Sequence, residues 1–369
     1  MKTEIYQNRV EKVRNALSGR NIDTFMVLVE ENRRYMTGYT GEDSQFDETA
    51  GVLFITADRL VLATDARFDV QAAQEATGCE IVCYKKGLAE EIPAIVKNLG
   101  TCRLGFESVR LSCFQYHKIK EQIEKSDHGV ELVPVEEIVE KIRIVKSEDE
   151  IEATRKALSL AEKAFESILP VIAVEMTEKE AAWSLEQAMK NLGADDLSFP
   201  IICAAGTNAA LPHAIPGGRK FQKADPVLFD WGARLAGYCS DTTRTLCIGE
   251  PDGTFKKVYH TVREAQKRAI DAIGDGVSSK AVDAVAREFI ENAGFKGKFG
   301  HGLGHGTGLA VHEGPRLSPL KDTILRAGMI VTVEPGIYLP EWGGVRLENQ
   351  VVVRENGAEV LNTLGFLEI

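Results

Sequence analysis

The chain has 369 residues, of which 44% are hydrophobic and 27% charged, a composition ordinary for a soluble globular protein. Its formal net charge of −11 argues against nucleic acid or an anionic membrane as a partner. The N-terminal stretch MKTEIYQNRVEKVRNALSGR has no apolar signal core, and no segment has the length and apolarity of a membrane span. We therefore expect a cytoplasmic protein. The seven cysteines form no C-x-x-C pair, which predicts free thiols.

The length suggests two domains, at about 100–200 residues each. The first, 1–140, alternates short β-rich segments with helical periodicities, which predicts an α/β domain. Strands are predicted at 25–29, 51–56, 59–64, 80–84, 103–106 and 131–135. Helices are predicted near 5–19, 66–76, 88–98 and 112–126. Only Ala57 and Asp58 separate the second and third strands, which indicates a hairpin.

A linker at 140–147 leads into the second domain, 147–369. Ser147 and Glu150 have the spacing of a capping box, which predicts a helix start. Two helices followed by a strand pair then occur twice: helices near 148 and 178 with strands in 227–248, and helices near 254 and 278 with strands in 329–353. This repeated order predicts a pseudo-twofold domain with its site between the halves. Coincidence within a generic α/β fold is the alternative.

Two aspartates stand inside the first strand pair, although aspartate is a poor strand residue. A turn centred on Leu235–Ala236 would place Asp230 directly opposite Asp241, with Cβ atoms about 4.5–5.5 Å apart. Carboxylates so close repel each other unless positive charge lies between them.

The second strand pair repeats the pattern with two glutamates. A turn centred on Glu341 would place Glu334 opposite Glu348. The alternative is that these carboxylates are solvated or paired with arginines, for which Arg234, Arg244 and Arg346 are the candidates. Four carboxylates in matching places favour a site for divalent Mn, Co, Fe or Zn. Their summed charge would neutralise two such ions, a pair that can activate water for hydrolysis.

Three of the seven histidines lie in the glycine-rich segment HGLGHGTGLAVHEGP, at 301, 305 and 312. The zinc motif H-E-x-x-H is absent, because Gly314, Pro315 and Arg316 follow His312-Glu313. The dinucleotide motif G-x-G-x-x-G is absent as well. Carboxylates together with a histidine are ligands that suit a divalent metal ion.

The second half closely resembles the pita-bread metallopeptidases, which include methionine aminopeptidase, aminopeptidase P, prolidase and the metal-free creatinase. The matching segments are LPHAIPGGRKFQKADPVLFDWGARLAGYCSDTTRT, GHGLGHGTGLAVHEGP, TVEPGIY and GGVRLEN. RRYMTGYTG and TDARF in the first domain resemble the N-terminal domain of the aminopeptidase P and prolidase branch. The resemblance implies a creatinase/prolidase-like α/β domain followed by a pita-bread α+β catalytic domain.

The resemblance also implies a ligand set for two divalent metal ions, with Mn expected first and Co, Zn or Fe as alternatives. The five ligands would be Asp230, Asp241, His305, Glu334 and Glu348. Asp241 and Glu348 would bridge the ions and position the hydroxide that attacks the scissile bond. Glu334 would also serve as general acid and base.

Further residues match positions around the substrate in this family. His312 would polarise the substrate carbonyl, and His213 and His301 would line the proline side of the pocket. Tyr338 and Arg346 match residues close to the metals and the substrate. An ordinary loop position for His213 and mere charge balance for Arg346 are the alternatives. Asn349 stands where many relatives have Asp, which weakens any role assigned there.

Within the family, the extra histidines favour cleavage of an N-terminal Xaa-Pro bond, hence a peptide substrate with proline in second position. Xaa-Pro aminopeptidase is the leading prediction, and prolidase, an Xaa-Pro dipeptidase, is the alternative. Creatinase-like hydrolysis without metal and a non-catalytic peptide-binding module are less favoured, because all five ligands are present. The resemblance also implies a homodimer. Trp183 and Trp231 are expected in the core or the pocket wall.

Overall fold

The computed structural model describes residues 2–43, 45, 48–126 and 128–366. The chain forms two compact units, one up to Arg143 and one from Ile144 onwards. Within the described ranges, no helix has both the length and the apolar character needed to cross a bilayer. All seven cysteines are free thiols.

The N-terminal unit is built on one six-stranded mixed sheet in the order β4-β3-β2-β1-β5-β6. Its strands are β1 Thr24–Val27, β2 Val52–Thr56, β3 Leu60–Asp65, β4 Glu80–Tyr84, β5 Arg103–Glu107 and β6 Glu131–Val135. β1, β2 and β3 pair antiparallel, whereas β4, β5 and β6 each join a neighbour in parallel. All six strands coincide with predicted segments. The hairpin at Ala57 and Asp58 is confirmed by the pairing of Ile55 with Leu60.

The helices of this unit are α1 Lys2–Leu17, α2 Glu30–Thr37, α3 Asp69–Glu75, α4 Leu88–Leu99, α5 Cys113–Glu124 and α6 Ile138–Arg143. α2 and α6 were not anticipated from the sequence. Polar residues make up most of the buried face of α2, since Asn32, Arg33 and Thr37 are buried beside Tyr35 and Met36. It ends at Gly38, whose φ of 78° suits a residue without a Cβ.

The C-terminal unit repeats a helix pair followed by strands, which agrees with the predicted pseudo-twofold order. Its helices are α7 Glu148–Ile168, α8 Glu178–Asn191, α9 Gly253–Asp271 and α10 Ser279–Ile290. The capping box at the start of α7 is confirmed, because the Ser147 hydroxyl accepts from the Glu150 amide and the Glu150 carboxylate accepts from the Ser147 amide. Thr177 and Glu180 form a second capping box at the start of α8.

The strands of this unit form four small sheets, in the orders β11-β10-β7, β12-β9-β8, β14-β13-β15-β18-β19 and β16-β17. The first half contributes β7 Asp196–Leu197, β8 Ile202–Ala205, β9 Pro226–Trp231, β10 Ala233–Leu235, β11 Tyr238–Cys239 and β12 Thr242–Cys247. The second half contributes β13 Gly304–Gly306, β14 Glu313–Leu317, β15 Ile330–Val333, β16 Gly336–Leu339, β17 Gly343–Arg346, β18 Asn349–Arg354 and β19 Gly357–Val360.

Each half packs its helix pair on its strands through apolar side chains. In the first half, Phe165 of α7 stacks on Trp231 of β9 with ring centroids 4.2 Å apart, and the Trp231 indole donates to the Ala161 carbonyl. Burying such a side chain stabilises the fold by about 1.5–3 kcal/mol. Trp183, which was expected in the core or pocket wall, is instead 70% exposed on α8. The prediction was wrong because the apolar face of α8 is formed by Ala181, Leu185 and Met189.

Candidate metal centre

The first hairpin differs in register from the sequence prediction. Asp230 lies opposite Thr243, and Leu235 lies opposite Tyr238. The turn is therefore centred on Ala236 and Gly237, which have φ of 50° and 86°. Positive φ at both central residues is the signature of the tight turn that matches strand twist. As a result, Asp241 lies diagonal to Asp230 rather than directly opposite it.

The second hairpin has the predicted register. Val333 pairs with Asn349 and Gly336 pairs with Arg346, which places Glu334 opposite Glu348 between two strand pairs. The Glu348 amide donates instead to the Thr243 carbonyl of the first hairpin, at 3.1 Å. This bond brings the acidic residues of the two hairpins into one cluster.

Three of the predicted ligands form a buried triangle of carboxylates. Asp230, Asp241 and Glu348 each offer an oxygen, and these three atoms lie within 4.8 Å of one another. Among the described residues, Asp230 Oδ1 and Glu348 Oε1 are buried and accept no hydrogen bond. Buried anionic oxygens without donors are costly, and oxygen donors converging on one point suit a divalent cation. The residues present therefore fit a bound metal.

His305 and Glu334 complete the cluster. His305 Nε2 lies 3.5 Å from Asp241 Oδ2 and 3.4 Å from Glu334 Oε1. The other ring nitrogen, Nδ1, lies 3.0 Å from the Gly306 carbonyl, which favours the tautomer with a free Nε2 lone pair. The structure thus brings together all five residues that the resemblance implies as ligands.

A chain of hydrogen bonds leads from Asp230 away from the cluster. Arg346 Nη2 donates to Asp230 Oδ2 at 2.7 Å, and its Nη1 donates to the Tyr338 hydroxyl at 2.9 Å. The Tyr338 hydroxyl lies 2.7 Å from His301 Nε2. Arg346 therefore offsets the charge of Asp230 and links Asp230 to His301 through the Tyr338 hydroxyl. Among the described residues, no ion pair joins Arg244 to the four carboxylates, since it binds backbone carbonyls and Asn349. Arg234 pairs with Asp196.

Burial disfavours the charged forms of Asp241, Glu348, Glu334 and His305. Burial, reinforced by neighbouring carboxylates, raises the pKa of Asp241 and of Glu348 well above the ordinary range. Burial also raises the pKa of Glu334 to about 7 and lowers the pKa of His305 to about 3. A cation among these oxygens would favour the ionised carboxylates.

The cluster lines a cavity of about 490 Å³ in the C-terminal unit. His213, His301 and His312 also line it, together with an apolar wall formed by Phe199, Pro200, Ile201, Ile202, Pro212, Ala214, Ile215 and Pro216. His312 packs edge-on against His305 with ring centroids 4.3 Å apart. Tyr338 is not among the residues that line the cavity, and it lies behind His301.

Several residues that hold the cluster in place were not predicted from the sequence. Thr243 donates to Glu348, and Thr332 donates to Glu334. Each threonine lies two positions from a ligand on the same strand face, a period-2 signal that was available. Gln266 of α9 donates to the carbonyls of Val333 and Leu347, at 3.0 Å each. No local pattern marks this long-range contact.

Arg316 was missed as well. It lines the cavity from β14 and is exposed. Among the described residues no carboxylate forms an ion pair with it, so its guanidinium is free to bind an anionic group. In the sequence, Arg316 is only a cation eleven positions after His305. That spacing predicts no role unless the fold is known.

A buried centre of four carboxylates and a histidine, open to a cavity with three further histidines, defines a metal-dependent enzyme of the hydrolase class. Comparison with known proteins makes the class specific. Residues 152–355 match the model of metallopeptidase family M24, and residues 9–145 match the creatinase/prolidase N-terminal domain. The chain belongs to metallopeptidase family M24 and carries the N-terminal domain of its creatinase and prolidase members.

The relatives and solved structures agree with this assignment. The Xaa-Pro dipeptidase of Pyrococcus furiosus is 35% identical over 96% of this chain and 97% of its own length. The structure of an Xaa-Pro dipeptidase from Bacillus anthracis is 39% identical, with a TM-score of 0.92 and 99% of both chains covered. An X-Pro aminopeptidase structure from Thermotoga maritima is 36% identical, with a TM-score of 0.85, covering 96% of this chain and 98% of that one.

The resemblance to the aminopeptidase P and prolidase branch, the pita-bread fold of the second domain and the metallopeptidase class are thereby confirmed. Membership of the family also implies divalent metal ions and a peptide substrate. The similar proteins support prolidase, the alternative, better than aminopeptidase, the leading prediction.

Proposed function

We propose that this protein is an Xaa-Pro dipeptidase that uses two divalent metal ions. The names of similar proteins support the dipeptide substrate. The observation in the molecule that carries it is Arg316, a free guanidinium on the cavity wall. A dipeptide has its C-terminal carboxylate on the proline itself, close to the scissile bond. A guanidinium binds such a carboxylate through charge-assisted hydrogen bonds, whereas a longer peptide has an uncharged amide at that place.

The five clustered residues, Asp241 and Glu348 among them, would hold the metal ions. Four carboxylates balance two dications, and carboxylate oxygens with one imidazole suit Mn first, with Co, Zn or Fe as alternatives. When bound, the ions supply an activated water and a Lewis acid for the peptide carbonyl.

Side chains of the protein itself transfer the proton and orient the substrate. Glu334 takes the proton of the attacking water and returns it to the leaving proline nitrogen, which must gain a proton to depart as a neutral amine.

The histidines of the cavity orient the substrate. The imidazole of His312 donates to the substrate carbonyl as negative charge develops there. His301, held by the Tyr338 hydroxyl, and His213 face the proline ring. Burial lowers the pKa of His301 to about 4, so it contacts the ring as a neutral group.

A homodimer is part of this proposal and is tested by sedimentation.

The proposal is tested by competition between Ala-Pro and Ala-Pro-Ala in one reaction with added Mn, beside a chelated control. We expect faster loss of the dipeptide, because only its proline carboxylate is within reach of Arg316. Faster loss of the tripeptide would establish the aminopeptidase instead. Loss of neither peptide with metal bound would point to a different amide substrate.

A further inference from the structure

Glu178, the first residue of α8, is completely buried, and no ion pair among the described residues includes it. A buried carboxylate without a cation is tolerated only when its oxygens accept hydrogen bonds. The donors that satisfy it therefore show what it does. It lies outside the metal centre and does not line the cavity.

The donors come from both ends of one segment. Glu178 Oε1 accepts from the Ala205 amide at 2.9 Å and from the Asn208 side chain at 3.0 Å. Its Oε2 accepts from the Gly217 amide at 3.0 Å. Ala205 is the last residue of β8, and Gly217 follows the cavity-lining run 212–216. A single carboxylate thus ties together the entry and the exit of the segment 205–217.

This segment forms one side of the cavity and carries His213. Parts of the segment are open to solvent, with Leu211 58% and Ile215 89% exposed, whereas Ala209 and Ala214 are buried. The backbone of α8 also holds the exit of the segment. The Glu178 amide donates to the Arg219 carbonyl, and the Lys179 amide donates to the Gly217 carbonyl. An exposed loop keeps one conformation only when its ends are fixed, since each residue ordered costs about 1–2 kcal/mol of entropy.

We propose that Glu178 is a positioning residue for substrate binding: its buried carboxylate clamps the segment 205–217 and so holds His213 and the adjoining apolar wall against the substrate. Glu178 acts through the segment and does not touch the substrate itself. The inference rests on the proposed function for the identity of that substrate.

The test compares three variants by dipeptide kinetics, metal content and amide hydrogen exchange. Glu178→Gln keeps the size but turns one acceptor into a donor, which leaves one end of the segment unbonded. Glu178→Asp keeps the charge but is too short to reach both ends. Both should raise KM for Ala-Pro about tenfold, the equivalent of one buried charged hydrogen bond, with kcat within twofold and metal content unchanged. Exchange of the 205–217 amides should accelerate by about the same factor.

Glu180→Gln is the matched control, because Glu180 lies in the same helical turn, is exposed, and tolerates glutamine in a capping box. It should leave KM, kcat and exchange unchanged. Wild-type KM and exchange in Glu178→Gln would overturn the proposal. Joint loss of kcat and metal would also overturn it, since that pattern marks a folding residue. If the wild-type protein does not cleave Ala-Pro, the proposed function fails, and the exchange comparison still decides the clamp.

Discussion

At the scale of single residues, the proposed function assigns to Arg316 the distinction between a dipeptide and a longer peptide. We expect Arg316→Ala to raise KM for Ala-Pro by about tenfold to a hundredfold, because a hydrogen bond to a charged group contributes about 1.5–3 kcal/mol. Hydrolysis of Ala-Pro-Ala, which offers no carboxylate at that place, should change less than threefold. Initial rates over a range of each substrate measure both effects.

Arg326→Ala is the control for this prediction. Arg326 is also an exposed arginine of the C-terminal unit, lies 3.7 Å from Asp275, and does not line the cavity. It should leave both substrates unaffected. Equal loss of dipeptide and tripeptide cleavage in Arg316→Ala would show that the guanidinium does not recognise the carboxylate.

The site residues divide into those a sequence can predict and those it cannot. The five clustered residues were predictable because carboxylates are unusual in strands and because a family motif fixes their order. Thr243 and Thr332 were predictable in principle from strand periodicity. Arg316, Gln266 and Glu178 act across long stretches of chain, and only the folded arrangement shows what they contact.

At the scale of elements, one turn residue of the first hairpin has an unfavourable backbone conformation, which a substitution can relieve. Ala236 has a φ of 50°, which costs a non-glycine residue about 1–2 kcal/mol. Asparagine tolerates this conformation and precedes glycine in the favoured turn. We expect Ala236→Asn to stabilise the C-terminal unit by about 0.5–1 kcal/mol, visible as a higher unfolding midpoint in tryptophan fluorescence.

Ala236 is exposed and does not line the cavity, so dipeptide cleavage should be unchanged. Gly237→Ala is the opposite control, because its φ of 86° disfavours any Cβ, and it should lower the midpoint. An unchanged or lower midpoint in Ala236→Asn would contradict the turn assignment.

In the N-terminal unit, Glu107 at the end of β5 joins the end of β1 to α2. Its Oε2 accepts from the amides of Leu28 and Val29, and its Oε1 accepts from Asn32. Burial, followed by the charge of Glu140, raises the pKa of Glu107 to about 7 from an ordinary value of 4.5. The folded unit therefore binds a proton that the unfolded chain releases between these two pH values.

By linkage, protonation of Glu107 contributes fully to the stability of the folded state below about pH 4.5. This contribution is lost as pH rises through about 7. We expect the N-terminal unit to lose up to about 3 kcal/mol of stability from this group between pH 5 and 8. Exchange of β1 and β5 amides, corrected for intrinsic rates, measures it. Glu107→Gln cannot titrate and should flatten the profile, whereas an identical slope in both proteins would contradict the assignment.

The elements themselves were largely predictable. The strands of the N-terminal unit are continuous apolar segments bounded by polar turns, and each was found. α2 was missed because it buries polar side chains, and the register of the first hairpin was wrong because Ala-Gly is a weaker turn signal than Asn-Gly. In both cases tertiary contacts decide what the local pattern leaves open.

At the scale of the whole molecule, metal binding should stabilise one unit and not the other. All three tryptophans, at 183, 231 and 342, lie in the C-terminal unit, so their fluorescence reports its unfolding. Chelation should lower that midpoint by several degrees, because metal at a hundred times its Kd contributes about 2.7 kcal/mol. Asp241→Ala should show no such shift, and an equal shift in that variant would place the metal elsewhere.

The most direct test of the proposed two-metal centre is the metal content of the purified protein. It is determined together with Ala-Pro hydrolysis as Mn is titrated into chelated samples. We predict two ions per chain at full activity, and loss of both bound metal and hydrolysis in Asp241→Ala and Glu348→Ala. Full hydrolysis without stoichiometric metal, or full activity in either variant, would contradict the account.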